Sequence, residues 1–180
     1  MEVLTAEKLN SVLIECGFRE SEWHMSNQVV DQMNTLTDSR REAAMFLAQL
    51  IYESAGFHNL EEPKSKYHPE YVKYFHGRGY IKLRGQQNYE DATIEIFKDD
   101  TLLRDPDRAS SAPWMAMRVS VYYWKKFVRP DAGSFDDFYA TTKVLNGEVE
   151  TSPDHPNAKK RHEFYVKAAN VLDPNANPPV

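Results

Sequence analysis

The stretch from Ser39 to Glu62, S-R-R-E-A-A-M-F-L-A-Q-L-I-Y-E-S-A-G-F-H-N-L-E-E, constrains this chain most. Ser39 followed at the third position by Glu42 is a capping box, which starts a helix. Ala43, Phe46, Leu47, Leu50 and Ser54 recur at helical spacing and define one apolar face. Glu53 falls on that face, and nothing nearby in sequence neutralises it. Gly56 offers a helix stop, and the acidic pair Glu61 and Glu62 follows within a short loop. One acid on a buried face and another beyond a turn would give the two environments that acid–base chemistry uses. A salt-bridged helix end followed by a solvated charge run fits the same spacing.

The remainder reads as helices joined by polar connections. Thr5 caps a helix to about Glu15, which Gly17 ends, and a second runs from Ser26 to Leu36 with Val29, Val30 and Met33 inward. Asn59 to His76 is irregular and carries Pro63, Pro69, Tyr67, Tyr71 and Tyr74; such a loop either lines a site or pins itself to the core. In H-G-R-G-Y-I-K-L-R-G-Q-Q-N-Y, the residues Tyr80, Ile81 and Leu83 read as a short strand. A helix from Gln86 to Phe97 turns Tyr89, Ala92, Thr93 and Ile96 inward, and Asp99 to Asp107 reads as a solvated loop. Pro113 opens a strongly apolar helix with Trp114, Met117, Val121, Tyr122 and Trp124. Ser134 with Asp137 caps another that ends near Leu145, Asn146-Gly147 turns, and a last helix spans Asn157 to Leu172. The expected result is a mainly helical single domain over residues 1–172 with little sheet, then a disordered tail over 173–180.

Composition narrows the function. A net charge of −5 and the lack of a basic arm disfavour nucleic acid as a partner. No segment reaches transmembrane length and the first residues lack a signal-peptide shape, so no membrane partner is expected. Compartment stays open between a secreted protein that has lost its leader and a cytosolic one. Cys16 stands alone, so no internal disulfide forms; on the apolar face with Leu9, Val12 and Leu13 it reads as a core thiol. Walker, Rossmann, HExxH, paired CxxC and G-x-S-x-G motifs are absent. His58 lies near Glu53 and Glu62 in sequence, but no second His supports a metal there.

The segment F-L-A-Q-L-I-Y-E-S-A-G-F-H-N-L-E-E resembles the catalytic segment of the family 19 glycoside hydrolases, the chitinases and related endolysins. G-R-G-Y-I-K-L-R-G-Q-Q-N-Y resembles that family's second motif, and Y-Y-W, L-N-G and K-R-H-E-F-Y follow in matching order, from about Thr5 to Leu172. The resemblance implies a lysozyme-like bilobal helical fold with a central cleft and a very small β element. It implies cleavage of β-1,4 links in N-acetylglucosamine polymers by inversion, with no metal or organic cofactor, by a monomer. Glu53 matches the general acid and Glu62 the general base, with Glu61 as fallback. Tyr80, Lys82, Arg84, Asn88, Asn146 and Arg161 match substrate-binding or cleft-supporting positions. Inversion leaves room for a water, so the carboxyl groups of such a pair stand roughly 6.5–9.5 Å apart.

Three positions depart from the family pattern. Tyr52 replaces a frequent His, a packing variation. Lys82 stands where the family has Gln, and Arg84 where it has Thr or Ser. Each puts a cation where a neutral hydrogen-bonding group is expected. Three outcomes follow: an active chitinase, a peptidoglycan hydrolase whose cations meet acidic groups on the substrate, or a weakened glycan-binding protein. If the cations impair the site, restoring Gln at 82 and Thr at 84 raises turnover.

Overall fold

A computed structural model describes residues 2–63 and 74–175. Tyr67, Pro69 and Tyr71 of the aromatic loop, and the tail from residue 176, lie outside the described residues. The elements in order are α1 (Ala6–Glu15), α2 (Trp23–Leu36), α3 (Arg40–Ser54), α4 (Gln86–Phe97) and α5 (Thr101–Arg104). There follow a 3-10 turn (Pro106–Ser110), α6 (Pro113–Tyr123), a π-helical segment (Trp124–Val128), α7 (Arg129–Ala132), α8 (Phe138–Asn146) and α9 (Pro156–Leu172). The only pairings of strand type among the described residues are the isolated antiparallel bridges Glu61–Arg78 and Arg78–Leu83. The expected strand at Tyr80–Leu83 is therefore a tight turn, closed by Arg78 and Leu83 exchanging both backbone hydrogen bonds. No helix among the described residues is long and apolar enough to cross a membrane.

Helix α3 is the axis. It is buried on nearly every side from Glu42 to Ile51, not along a single stripe, as befits a helix apolar almost all round. Ser39 Oγ accepts the Glu42 amide at 3.3 Å, but the Glu42 side chain does not return the bond. It turns inward, where its carboxylate accepts from Trp124 Nε1 at 2.9 Å and from Arg129 Nε at 2.6 Å. Burial works against this charge, but Arg129 and its other donors outweigh it and hold the carboxyl below its ordinary value. The cap thus starts α3 while its third residue anchors it to the π-helical segment. The most extensive helix–helix contact is between α3 and α9.

The core divides into two apolar clusters with α6 between them. The larger gathers α1, α2, α3 and α9, with Ala116 and Met117 of α6 and Trp124 beyond its end. The smaller joins Phe75, Leu83 and Tyr89 to Leu102 and Ala109, against Met115, Val119 and Tyr122 of α6. This is the expected bilobal arrangement. Four expectations fail locally. Trp114 is 41% exposed, because at the second position of α6 it lies before the helix enters the core. The acidic stretch Asp99–Asp107 is not a plain loop: it forms α5 and the start of the 3-10 turn, pinned by buried Leu102 and Ala109. Asp137, not Ser134, caps α8, since its carboxylate accepts the Tyr139 amide at 2.8 Å. Helix α2 begins three residues before the expected Ser26, at Trp23.

Helix α3 ends in a run of left-handed residues, Ala55, Gly56 and Phe57, at φ 50, 69 and 69°. This run carries the chain toward Glu61 and Glu62. A Cβ on Gly56 would lie 2.5 Å from Cγ of Phe18, so the turn closes only with glycine there. Gly56→Ala combines a left-handed penalty with overpacking and is expected to cost about 2–4 kcal/mol. Urea unfolding checks it; a loss below about 0.5 kcal/mol would show that Phe18 yields.

Candidate active site

The groove between the two lobes encloses about 540 Å³. One wall is the end of α3, with Tyr52 and Glu53; the floor is the Ile81–Arg84 turn with Asn88; the far wall runs from Lys143 to Glu150 with Asn157 and Arg161 of α9. Of the residues singled out in the sequence, Glu53, Lys82, Arg84, Asn88, Asn146 and Arg161 line this groove, while Glu61, Glu62 and Tyr80 do not.

Glu53 faces this groove with 19% of its side chain exposed. It is not a lone acid in an apolar pocket. Arg161, distant in sequence and fully buried, donates to its Oε1 at 2.5 Å. The same guanidinium donates to Glu150 Oε2 at 2.9 Å and to Gln49 Oε1 at 2.9 Å. It also lies 4.0 Å from the centroid of the Tyr52 ring, which makes the departure at position 52 a cation–π contact. Burial works against the Arg161 charge, but Glu53 and Glu150 outweigh it and hold the group above its ordinary value. Glu150 is completely buried. Desolvation opposes its charge, yet Arg161 and Asn146, whose Nδ2 donates at 2.8 Å, hold its carboxyl below the ordinary 4.5. Gln49 completes the network by donating to Thr141 and Thr142 of α8, each at 2.9 Å. Arg161 is thus a support under the groove, not an open substrate contact: its fork is spent on three protein partners.

Glu62 sits one quarter exposed on the other side of the Lys82 turn. Its Oε1 accepts the Gly77 amide at 2.7 Å, and its own amide donates to the Gly77 carbonyl at 2.9 Å. Its Oε2 meets Arg84 Nη2 at 3.1 Å, and Arg84 is 64% exposed. Glu61 is turned away, toward His76 Nε2 at 3.2 Å and Arg78 Nε at 3.6 Å. Asn88 Nδ2 donates to the Arg84 carbonyl at 2.8 Å, so it braces that turn as well as lining the groove. Lys82 is buried; its Nζ donates to the Asn59 and Gly79 carbonyls. Tyr80 requires correction: its side chain is wholly buried, edge-on to Phe57 at 4.9 Å, outside the groove lining. The tight turn sends its ring into the core while Ile81 and Lys82 line the groove.

His58 is turned to Arg19, whose Nε donates to its Nε2 at 3.2 Å. No cluster of three or more His, Cys, Asp or Glu placed to hold a metal occurs among the described residues. The sequence reading missed Gln49, Glu150, Lys143, Glu148 and Asn157. Gln49 was within reach: it precedes Glu53 by one helical turn and makes a polar stripe on a buried helix. Glu150 carried no such signal, since it follows a turn among polar residues.

Removing one member of a buried ion pair leaves a bare charge, at a cost of about 3–5 kcal/mol. Arg161→Met is expected to lose that much in urea unfolding, and Arg161→Met with Glu150→Met to recover most of it. Because the folded Glu150 carboxyl lies below 4.5, its contribution is complete above that pH and is lost as the pH falls through the folded value. Glu150→Gln flattens that acid limb; an unchanged limb would place the acid sensitivity elsewhere.

No family model matches the chain. An endochitinase of Arabidopsis thaliana is 34% identical over 119 residues, 62% of this chain and 41% of the relative. Another from the same plant is 33% identical over 154 residues, 78% of this chain and 52% of the relative. Chitinase 6 of Oryza sativa subsp. japonica is 29% identical over 157 residues, 79% of this chain and 57% of the relative. The chain thus spans about half the length of the curated relatives it matches. A bacterial family 19 chitinase superposes with a TM-score of 0.76 at 19% identity, over 99% of this chain and 98% of that one. A family GH19 class IV chitinase from Zea mays superposes at 0.73 and 20% identity, over 100% and 98%. The chain is related in sequence to plant endochitinases and carries the mainly helical, lysozyme-like fold of the family 19 chitinases.

Proposed function

We propose that residues 1–172 form one catalytic domain that hydrolyses β-1,4 links in N-acetylglucosamine polymers, chitin foremost, by inversion. The relatives named as chitinases support the substrate class. The observation that carries the chemistry is Glu53 on the groove wall, held through Oε1 alone by Arg161. Among the described residues no other group bonds this carboxylate, which leaves Oε2 to present a proton to the glycosidic oxygen. The guanidinium is shared between Glu53 and Glu150, so Glu53 does not hold its whole charge. Glu53 is the general acid. Glu62 is the general base: its Oε1 is fixed by a backbone amide, and each carboxylate oxygen keeps a second lone pair for a water. One chain builds the whole groove, so a monomer suffices.

Arg84 competes with that water, and its magnitude decides between enzyme and binding protein. An exposed ion pair is worth about 0–1 kcal/mol, a factor of roughly five at most. General acid–base catalysis contributes on the order of a hundredfold or more. The Arg84–Glu62 contact therefore slows hydrolysis without abolishing it. Peptidoglycan is the second reading, for which Arg84 on the floor and Lys143 on the far wall supply two exposed cations.

Purified protein on chitin hexamer should release products that are first the α-anomer, read by proton NMR. Glu53→Gln should lower the rate at least about a hundredfold with oligomer binding retained. Initial β-anomer, or an active Glu53→Gln, would sink the assignment. Turbidity loss of bacterial walls reads the second substrate.

Arg84→Thr should raise turnover about two- to fivefold at low salt and less in 0.5 M salt, where exposed pairs are screened. A rate that stays level at both ionic strengths would show that Arg84 does not obstruct the base.

A further inference from the structure

Lys82 occupies a strained and enclosed place. Its φ is 61°, a left-handed conformation that favours glycine, and only 8% of the residue is exposed. Burying an ammonium is costly unless it is bonded and faced by opposite charge. Here it is both. Nζ donates to the Asn59 carbonyl in a very short contact and to the Gly79 carbonyl at 3.4 Å. Glu53, Glu62 and Glu61 act on it from two segments. Desolvation is the largest influence and pulls the ammonium below its ordinary value; the glutamates oppose it.

The two anchors of Lys82 belong to different parts of the site. Asn59 closes the turn that ends α3, its amide donating to the Ser54 carbonyl at 2.8 Å next to Glu53. The Lys82 turn meets the Glu62 carboxylate through Gly77. A Cβ on Gly77 would lie 2.9 Å from Glu62 Cδ and 3.0 Å from Lys82 Cβ, so the three are in packing contact. From these contacts we infer that Lys82 is a positioning residue: a buried cationic strut that fixes the Glu62 segment against the end of α3 and so sets the gap between Glu53 and Glu62. This replaces the expectation that the cation impairs the site and that Gln would improve it. The catalytic arm of the test rests on the proposed hydrolase reading; the exchange arm does not.

Lys82→Met keeps the length and removes both charge and donor. On chitin hexamer, kcat should fall at least about tenfold with KM changed less than about twofold, the signature of lost transition-state geometry rather than lost uniform binding. Backbone amide exchange at Glu62 and Gly77 should quicken at least about tenfold, with α2 amides unchanged. In Lys82→Ala, added ethylammonium should restore at least about a third of the lost rate and slow the exchange again, while ethanol does neither; this variant decides the matter if the Met form does not fold. A raised KM with unchanged kcat would make Lys82 a substrate contact and overturn the strut. So would unaltered exchange at Glu62 and Gly77, or an Ala variant indifferent to ethylammonium. A wild-type protein inactive on chitin overturns the hydrolase reading alone, and the exchange data still decide the role of Lys82.

Discussion

The buried guanidinium of Arg161 is the contact on which the arrangement rests. It reaches α3 through Gln49 and Glu53 and the far wall through Glu150; Gln49 carries the link on to α8. Such a centre is no cheap source of stability. Well-packed apolar residues would hold the same helices at similar or lower free energy. What it supplies is direction: a planar fork with fixed donors allows one orientation of Glu53 and forbids others. The network lies within the extensive α3–α9 packing.

The two candidate carboxylates are held by opposite means. Glu53 is fixed from the interior by a cation with 1% of its side chain exposed; Glu62 is fixed by a backbone amide and faced by a cation 64% exposed. The interior contact resists salt and sets geometry. The exposed one is soft, screened and exchangeable. An acid that must aim a proton profits from the first kind of support, and a base that must admit water tolerates the second. Between them the Lys82 turn closes the floor, with Asn88 bracing Arg84 from below.

Much of this was legible in the sequence, and the failures at the candidate site come mainly from non-local charge. Local signals held: the Thr5 and Ser39 caps, the helix over Gln86–Phe97, Cys16 and Leu9 in the core, and two motifs that meet at one groove. Non-local charge did not declare itself. Glu42 looked like half of a capping box, but Trp124 and Arg129 claimed its carboxylate. Glu53 looked unneutralised because its partner lies 108 residues on. Tyr80 looked like a groove residue by motif position, while the turn around it sent the ring inward. Spacing reports which face a residue shares; it cannot report which distant ion pair will occupy that face.

Cys16 ends α1 as a thiol 7% exposed, with burial raising its pKa to about 12. At neutral pH almost none of it is thiolate, and only the thiolate reacts with alkylating reagents. It sits within the larger apolar cluster alongside Phe164 and Ala168 of α9. Maleimide capture of this single sulfur therefore clocks how often that lobe opens, without any introduced label.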